Sequence, residues 1–205
     1  MTIVQIPYDT ERWIRVPVEW SREPWDGPAE WAEWLADETT RARDGAEPYV
    51  EAIRDHALAI AGYSSEDVSA RFWYFPIDGD PAGWVDVFMQ QHGHDGAVAA
   101  EMLPELERAV IEPAVDALEV TDFDSAVRRL SLLPFTGSDS GGADGTATPG
   151  IMAKGEWLAV SGEWLVYLVT IDADPRALSQ RLGDTDRLIG GLDPAVLSGQ
   201  READA

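Results

Sequence analysis

The seven residues QQHGHDG, at 90–96, hold two of the chain's three histidines. His92 and His94 are two apart, so on a continuing strand both imidazoles project from one face, and Asp95 or Asp86 would add a carboxylate to the pair. That is the start of a metal site and no more. Gly93 and Gly96 mark a loop leaving a strand, where His and Asp are ordinary polar residues, and the third imidazole, His56, belongs to a separate helical pattern. Two ligands do not complete a coordination sphere. No metal and no cofactor is therefore expected.

Other spacings fail in instructive ways. DGDPAGWVDVFM, from Asp78, begins like a calcium loop, with Asp80 third and Gly83 sixth, but Ala82 fills the fifth place and Met89 the twelfth, where a bidentate Glu is needed. It reads as a turn. SGGADG has neither a lysine nor a helix pattern after it, so it is no phosphate cradle. There is no Gly-x-Ser-x-Gly elbow. With no cysteine, disulfides, thiolate zinc sites and a Cys nucleophile are excluded. Carboxylates number 38, so that chance alone places many pairs at catalytic separations and none can be singled out as acid or base.

Tryptophan carries the strongest binding signal. Five of nine, Trp13, Trp20, Trp25, Trp31 and Trp34, fall in the first 34 residues beside Glu19, Glu23, Glu30 and Glu33. Indoles combine large apolar area, one donor and few rotors, which suits both cores and contact surfaces. Trp31 and Trp34 share helical spacing with Leu35 and are assigned to the core. Trp20 and Trp25, which flank a Pro- and Gly-rich turn, form with Glu19 and Glu23 the candidate partner-binding surface.

The formal net charge of -23 excludes ordinary nucleic-acid binding, which depends on Lys and Arg neutralising phosphates. It also repels anionic lipid. The start, MTIVQIPYDTERW, lacks a basic region followed by an apolar run, and no stretch reaches the ~18 apolar residues of a spanning helix. A soluble, cytoplasmic protein without membrane contact is expected. Lys154 is the only lysine among fifteen basic residues.

These residues must be positioned by an ordinary set of elements. ERWIRVPVEW, 11–20, reads as an edge strand, since Pro17 cannot donate to a ladder. A helix starts at Gly27-Pro28 with Glu30 in its first turn and stops at Gly45. A second follows Pro48, carrying Tyr49, Ile53, Ala57 and Ile60 until Gly62. VSARFWYFPI, 68–77, and GWVDVFMQQ, 83–91, form a hairpin. Between Gly96 and Glu119 the composition is helical, with Leu106 and Val110 on one stripe, and a short helix is expected between Pro104 and Pro113.

SAVRRLSLLPF, 125–135, is a further strand, and 136–150 is a flexible loop of small and polar residues. In GEWLAVSGEWLVYLVT, 155–170, the tetrapeptide GEWL occurs twice. A two-residue turn at Ser161 and Gly162 would set Trp157 opposite Val166 and Ala159 opposite Trp164, so that Trp157, Ala159, Trp164, Val166 and Leu168 share one apolar face. Asp174 caps a last helix that starts at Pro175, runs Leu178, Leu182, Thr185 and Ile189 along one stripe, and ends at Gly190-Gly191. The expected whole is one α+β domain over 1–192, a mostly antiparallel sheet of about six strands flanked by three or four helices, with a disordered tail at 193–205.

SAVRRLSLLPF, the hairpin IMAKGEWLAVSGEWLVYLVTID and the closing helix DPRALSQRLGDTDRLI together resemble the PsbP-like α/β/α sandwich family, antiparallel sheets flanked by helices that include photosystem accessory subunits and mycobacterial lipoproteins. The chain differs in its two-helix insertion near the N-terminus and in lacking a lipoprotein signal. The resemblance implies a non-catalytic scaffold acting by contact and assigns no site residue.

Function is accordingly expected to be that of an accessory protein whose acidic, Trp-bearing surface meets a basic protein partner. One alternative is an acidic mimic that occupies a nucleic-acid-binding groove. Another is a small-ligand binder, or a metal-assisted enzyme using the His92 and His94 region.

Overall fold

The computed structural model describes residues 6–41, 45–77, 79–93, 96–106, 108–137 and 148–194. Seven antiparallel strands form one sheet in the order β1-β2-β3-β7-β6-β5-β4, where β1 is Trp13–Val16, β2 Ala70–Tyr74, β3 Trp84–Gln91, β4 Ala114–Ala117, β5 Ser125–Gly137, β6 Thr148–Ser161 and β7 Trp164–Asp172. The chain first meanders through β1, β2 and β3, with helices α1 (Pro28–Thr40) and α2 (Val50–Gly62) inserted between β1 and β2. It then crosses to the far edge through α3 (Ala99–Met102), and a second meander brings β7 back beside β3. Helix α4 (Pro175–Gly190) closes the fold.

Side-chain alternation gives the sheet two apolar faces, and each is covered differently. Trp13, Phe72, Val85, Val87, Trp157, Ala159, Val166 and Leu168 pack under α4, whose Leu188 and Ile189 join the same cluster. On the opposite face α1 and α2 cover the β1–β3 half, where Trp31, Leu35, Ala57 and Ile60 meet Val16 and Trp73. Its other half is covered by α3 and the residues beside it, with Ala99 and Met102 against Val127, Leu158, Val160 and Leu165. The fold is therefore α+β with seven strands and four α-helices among the described residues.

Several expectations need correction. The additional strand is β4, just beyond Pro113 in a stretch of helical composition, and the helix expected between Pro104 and Pro113 is not formed by the described residues there. Helix α3 instead precedes Pro104, and Leu103 is already extended at φ -57°, ψ 133°, as steric conflict with a following proline ring requires. The edge strand at the N-terminus is shorter than 11–20 and ends before Pro17. Both ends of the expected loop 136–150 are strand, since Gly137 pairs with Thr148; the remainder of that loop and most of the expected tail at 193–205 lie outside the described residues, although Pro194 is buried.

The doubled GEWL is a hairpin whose turn lies one residue later than expected. Ser161 pairs with Trp164, so Gly162 and Glu163 make the turn, and Trp157 lies opposite Leu168 while Ala159 lies opposite Val166. Gly162 has φ +55°, which the first central position of a II′ turn demands and which Ser161 would adopt only under strain. Moving the turn by one changes the pairing by two, so each side chain keeps its face. The first glycine is needed for space instead, because a Cβ on Gly155 would stand 2.8 Å from the Trp157 ring and 3.4 Å from Leu178. With the Trp157 Nε1–H held by Asp186 at 2.6 Å, the indole has no free path away. Gly155→Ala is expected to cost about 1–3 kcal/mol of stability through overpacking. Urea unfolding would check it, and an unchanged midpoint would show that the ring is not locked.

Candidate functional site

The expected surface residues come together around the start of α1, whose N-cap is Gly27 with Pro28 in the first turn. Glu30 reaches back to accept the Asp26 backbone N–H at 2.7 Å, tying the preceding turn to the helix. Trp20 makes an edge contact with the buried Trp31 at 6.4 Å, and Trp25 lies 4.7 Å from Trp34. Trp20 and Trp25 are thus half-buried, leaning on the cluster beneath α1 and α2.

Trp34 departs from its core assignment: Trp31, Ala32, Leu35 and Ala36 take the buried stripe, and Trp34 is 43% exposed. An α-helix advances about 100° per residue, so Trp31 and Trp34 are offset around the axis by enough for the sheet to claim only one. On the helix surface Trp34 has Glu30 and Glu38 four residues away and Asp37 three away. Glu33 and Glu19 are exposed, Glu19 accepting from the Ser21 hydroxyl at 2.8 Å. Glu23 is less available, being paired with Arg15 at 3.7 Å. The arrangement is an exposed indole, Trp34, resting on the half-buried Trp25, with acidic residues one helical turn to either side.

The two described histidines, His56 and His92, do not converge. His56 is on α2, parallel to Trp73 at 6.3 Å, while the His92 backbone N–H bonds the Glu163 carbonyl beside the β6–β7 turn. Asp86, the suggested extra ligand, is committed to Arg71. His94, Asp95 and Asp78 lie outside the described residues. Among the described residues no group of three His, Cys, Asp or Glu could hold a metal ion.

A feature not anticipated from the sequence crosses the sheet on the face that carries α1, α2 and α3. Register places Val16, Arg71, Asp86, Val169, Glu156, Arg129 and Val115 in one row, one residue from every strand. Arg71 binds Asp86 at 2.6 Å and Arg129 binds Glu156 at 2.7 Å, and all four are buried. Each arginine also reaches the layer above. Arg71 donates to the Ile60 and Tyr63 carbonyls at the end of α2, both at 2.7 Å, and Arg129 donates to the Pro104 carbonyl at 2.8 Å.

Glu156 additionally accepts from Lys154 at 2.8 Å and from the Tyr167 hydroxyl at 2.6 Å. Burial pushes its carboxyl up, but the Lys154, Tyr167 and Arg129 donors outweigh burial and hold it below the ordinary carboxylate range. Burial and the adjacent carboxylate push the Tyr167 phenol far above its usual value. Acid–base catalysis near neutral pH needs groups displaced toward neutrality, and these are displaced away from it. The network is structural. Arg71, Asp86, Arg129 and Glu156 are visible in the sequence as charges inside apolar strand runs, yet their pairing depends on register across strands distant in sequence.

Helix α4 is fastened by similar bonds on the other face. Asp186 accepts from Trp157 at 2.6 Å and Arg128 at 2.8 Å, Asp184 accepts from Tyr74 at 2.8 Å, and the buried Arg181 donates to Asp172 at 2.7 Å and Thr170 at 2.8 Å.

No family model matches the chain, and neither a curated protein nor a solved structure matches it. No helix among the described residues is long and apolar enough to cross a membrane.

Proposed function

We propose that this is a non-catalytic accessory protein that acts by contact, holding a basic, arginine-bearing segment of a partner protein against the Trp20, Trp25 and Trp34 surface. The observation that carries this reading is the Trp25–Trp34 pair, 4.7 Å between rings, with Trp34 43% exposed and Glu30, Asp37 and Glu38 three or four residues from it along the same helix. A guanidinium laid on an indole face gains cation–π attraction, and its N–H fork can reach a neighbouring carboxylate at the same time. The net charge of -23 adds long-range steering of a cationic partner. A cytoplasmic setting and the likeness of the C-terminal part to PsbP-like scaffolds belong to the same proposal.

Calorimetric titration with octa-arginine and octa-lysine peptides at low and high salt tests the proposal. The arginine peptide should bind more tightly, both should weaken with salt, and Trp34→Ala should lower arginine-peptide affinity about fivefold, as for an exposed cation–π contact. Trp34 is on the surface, so the variant should fold normally. Equal binding of the two peptides, together with no effect of Trp34→Ala, would leave only non-specific charge attraction and reject the proposal.

A further inference from the structure

A cleft of about 480 Å³ opens at one end of the sheet, between α2, the turn ahead of β3 and the start of α4. Its volume falls among those of small-molecule sites, roughly 300–1,000 Å³. Ile60, Pro81 and Trp84 give it an apolar wall. Three carboxylates line it, but two are committed to the protein. Asp172 accepts from the Asp174 backbone at 2.9 Å and from Arg181 at 2.7 Å, and Asp174 caps α4 by accepting from the Arg176 backbone at 2.8 Å.

That leaves two side chains of opposite sign. Among the described residues, neither the Arg176 guanidinium nor the Asp80 carboxylate has a hydrogen-bond or ion-pair partner. Gln180, one helical turn beyond Arg176, lines the same cleft and adds a neutral donor and acceptor. A simple anion is repelled by the field of the whole chain, and a simple cation meets Arg176. A molecule bearing both charges satisfies both groups.

We infer that this cleft binds a small zwitterion, with its carboxylate on Arg176 and Gln180, its ammonium on Asp80, and its apolar part along Trp84, Ile60 and Pro81. The inference is independent of the Trp34 surface.

Calorimetric titration would use L-phenylalanine and 6-aminohexanoate, which place the two charges close together and far apart, against 2-phenylethylamine and phenylacetate, which carry one charge each. At least one zwitterion should bind, and more tightly than either single-charge compound. Arg176→Gln should weaken the zwitterion about tenfold without weakening 2-phenylethylamine, and Asp80→Asn should weaken it similarly without weakening phenylacetate, since each removes one charge-assisted contact of the zwitterion and one like-charge repulsion of the single-charge compound. Both side chains are exposed and carry no internal bond among the described residues, so thermal unfolding of the variants should match that of the parent. Trp34→Ala should have no effect. Absence of binding by both zwitterions, binding of an amine or acid alone at equal affinity, or indifference to both cleft substitutions would overturn the inference.

Discussion

Glu156→Ala is expected to lower the unfolding free energy by about 3–5 kcal/mol, because it strands cations that now share one buried carboxylate. Arg129 at 2.7 Å and Lys154 at 2.8 Å would both lose their counter-charge, and the Tyr167 hydroxyl would lose its acceptor. Urea denaturation followed by circular dichroism would measure the loss. Glu156→Leu combined with Arg129→Leu and Lys154→Met should recover much of it, since replacing a whole buried ion set by apolar groups of similar volume is often neutral. A single Glu156→Ala that unfolds like the parent would show that the network contributes nothing.

The same network sets the pH limits of stability. Glu156 has its folded value depressed below the ordinary 4.5, so its contribution is complete above that pH and is lost as pH falls through the folded value. Tyr167 is raised from its ordinary 10.0, so its contribution is complete below that pH and is lost as pH rises further. Glu156→Ala should therefore remove this carboxylate's share of the acid limb and reduce the alkaline one only in part, since burial, the larger cause of the raised Tyr167 value, persists.

The second large effect distinguishes the two copies of GEWL. Trp157→Ala is expected to cost about 3–5 kcal/mol, the usual range for deleting a buried aromatic side chain. Trp157 is fully buried and anchors α4 through Asp186, whereas Trp164 is only partly buried at the hairpin end. Trp164→Ala should accordingly cost markedly less in the same urea experiment. Equal losses would mean that the two indoles carry the same packing load, contrary to their positions.

This asymmetry shows where local reading stops. A tetrapeptide with one composition has its first glycine under an indole and its second in a turn at φ +55°. Periodicity places Trp157 and Trp164 on one face, since alternation is a local property. The turn position requires knowing which residue takes the positive φ.

Trp34 makes a similar point at the candidate site. Trp31, Trp34 and Leu35 satisfy one helical stripe on paper, yet the sheet beneath α1 accepts Trp31 and Leu35 and leaves Trp34 in solvent. The exposed indole that carries the functional proposal is consequently not legible in the sequence, and its neighbours Trp20 and Trp25, read as surface residues, are half-buried against the cluster beneath α1 and α2. Strand β4 escapes for a related reason. Its four residues, AVDA, have no β pattern of their own and are extended because β5 offers them a partner.

What the sequence by itself determined was everything governed by near neighbours: the starts of α1 and α4, the Ile53, Ala57 and Ile60 stripe of α2 without Tyr49, which precedes the helix and is exposed, the hairpins, the α+β class, and a charge balance hostile to polyanions. These follow from backbone sterics, side-chain period and Coulomb's law, none of which needs a distant contact. Only the tertiary structure decided the row from Val16 to Val115, the choice of Trp31 over Trp34, and the cleft that joins Arg176 to Asp80. Each depends on which distant segments become adjacent, and that is set when the whole sheet closes and its layers compete for the same surface.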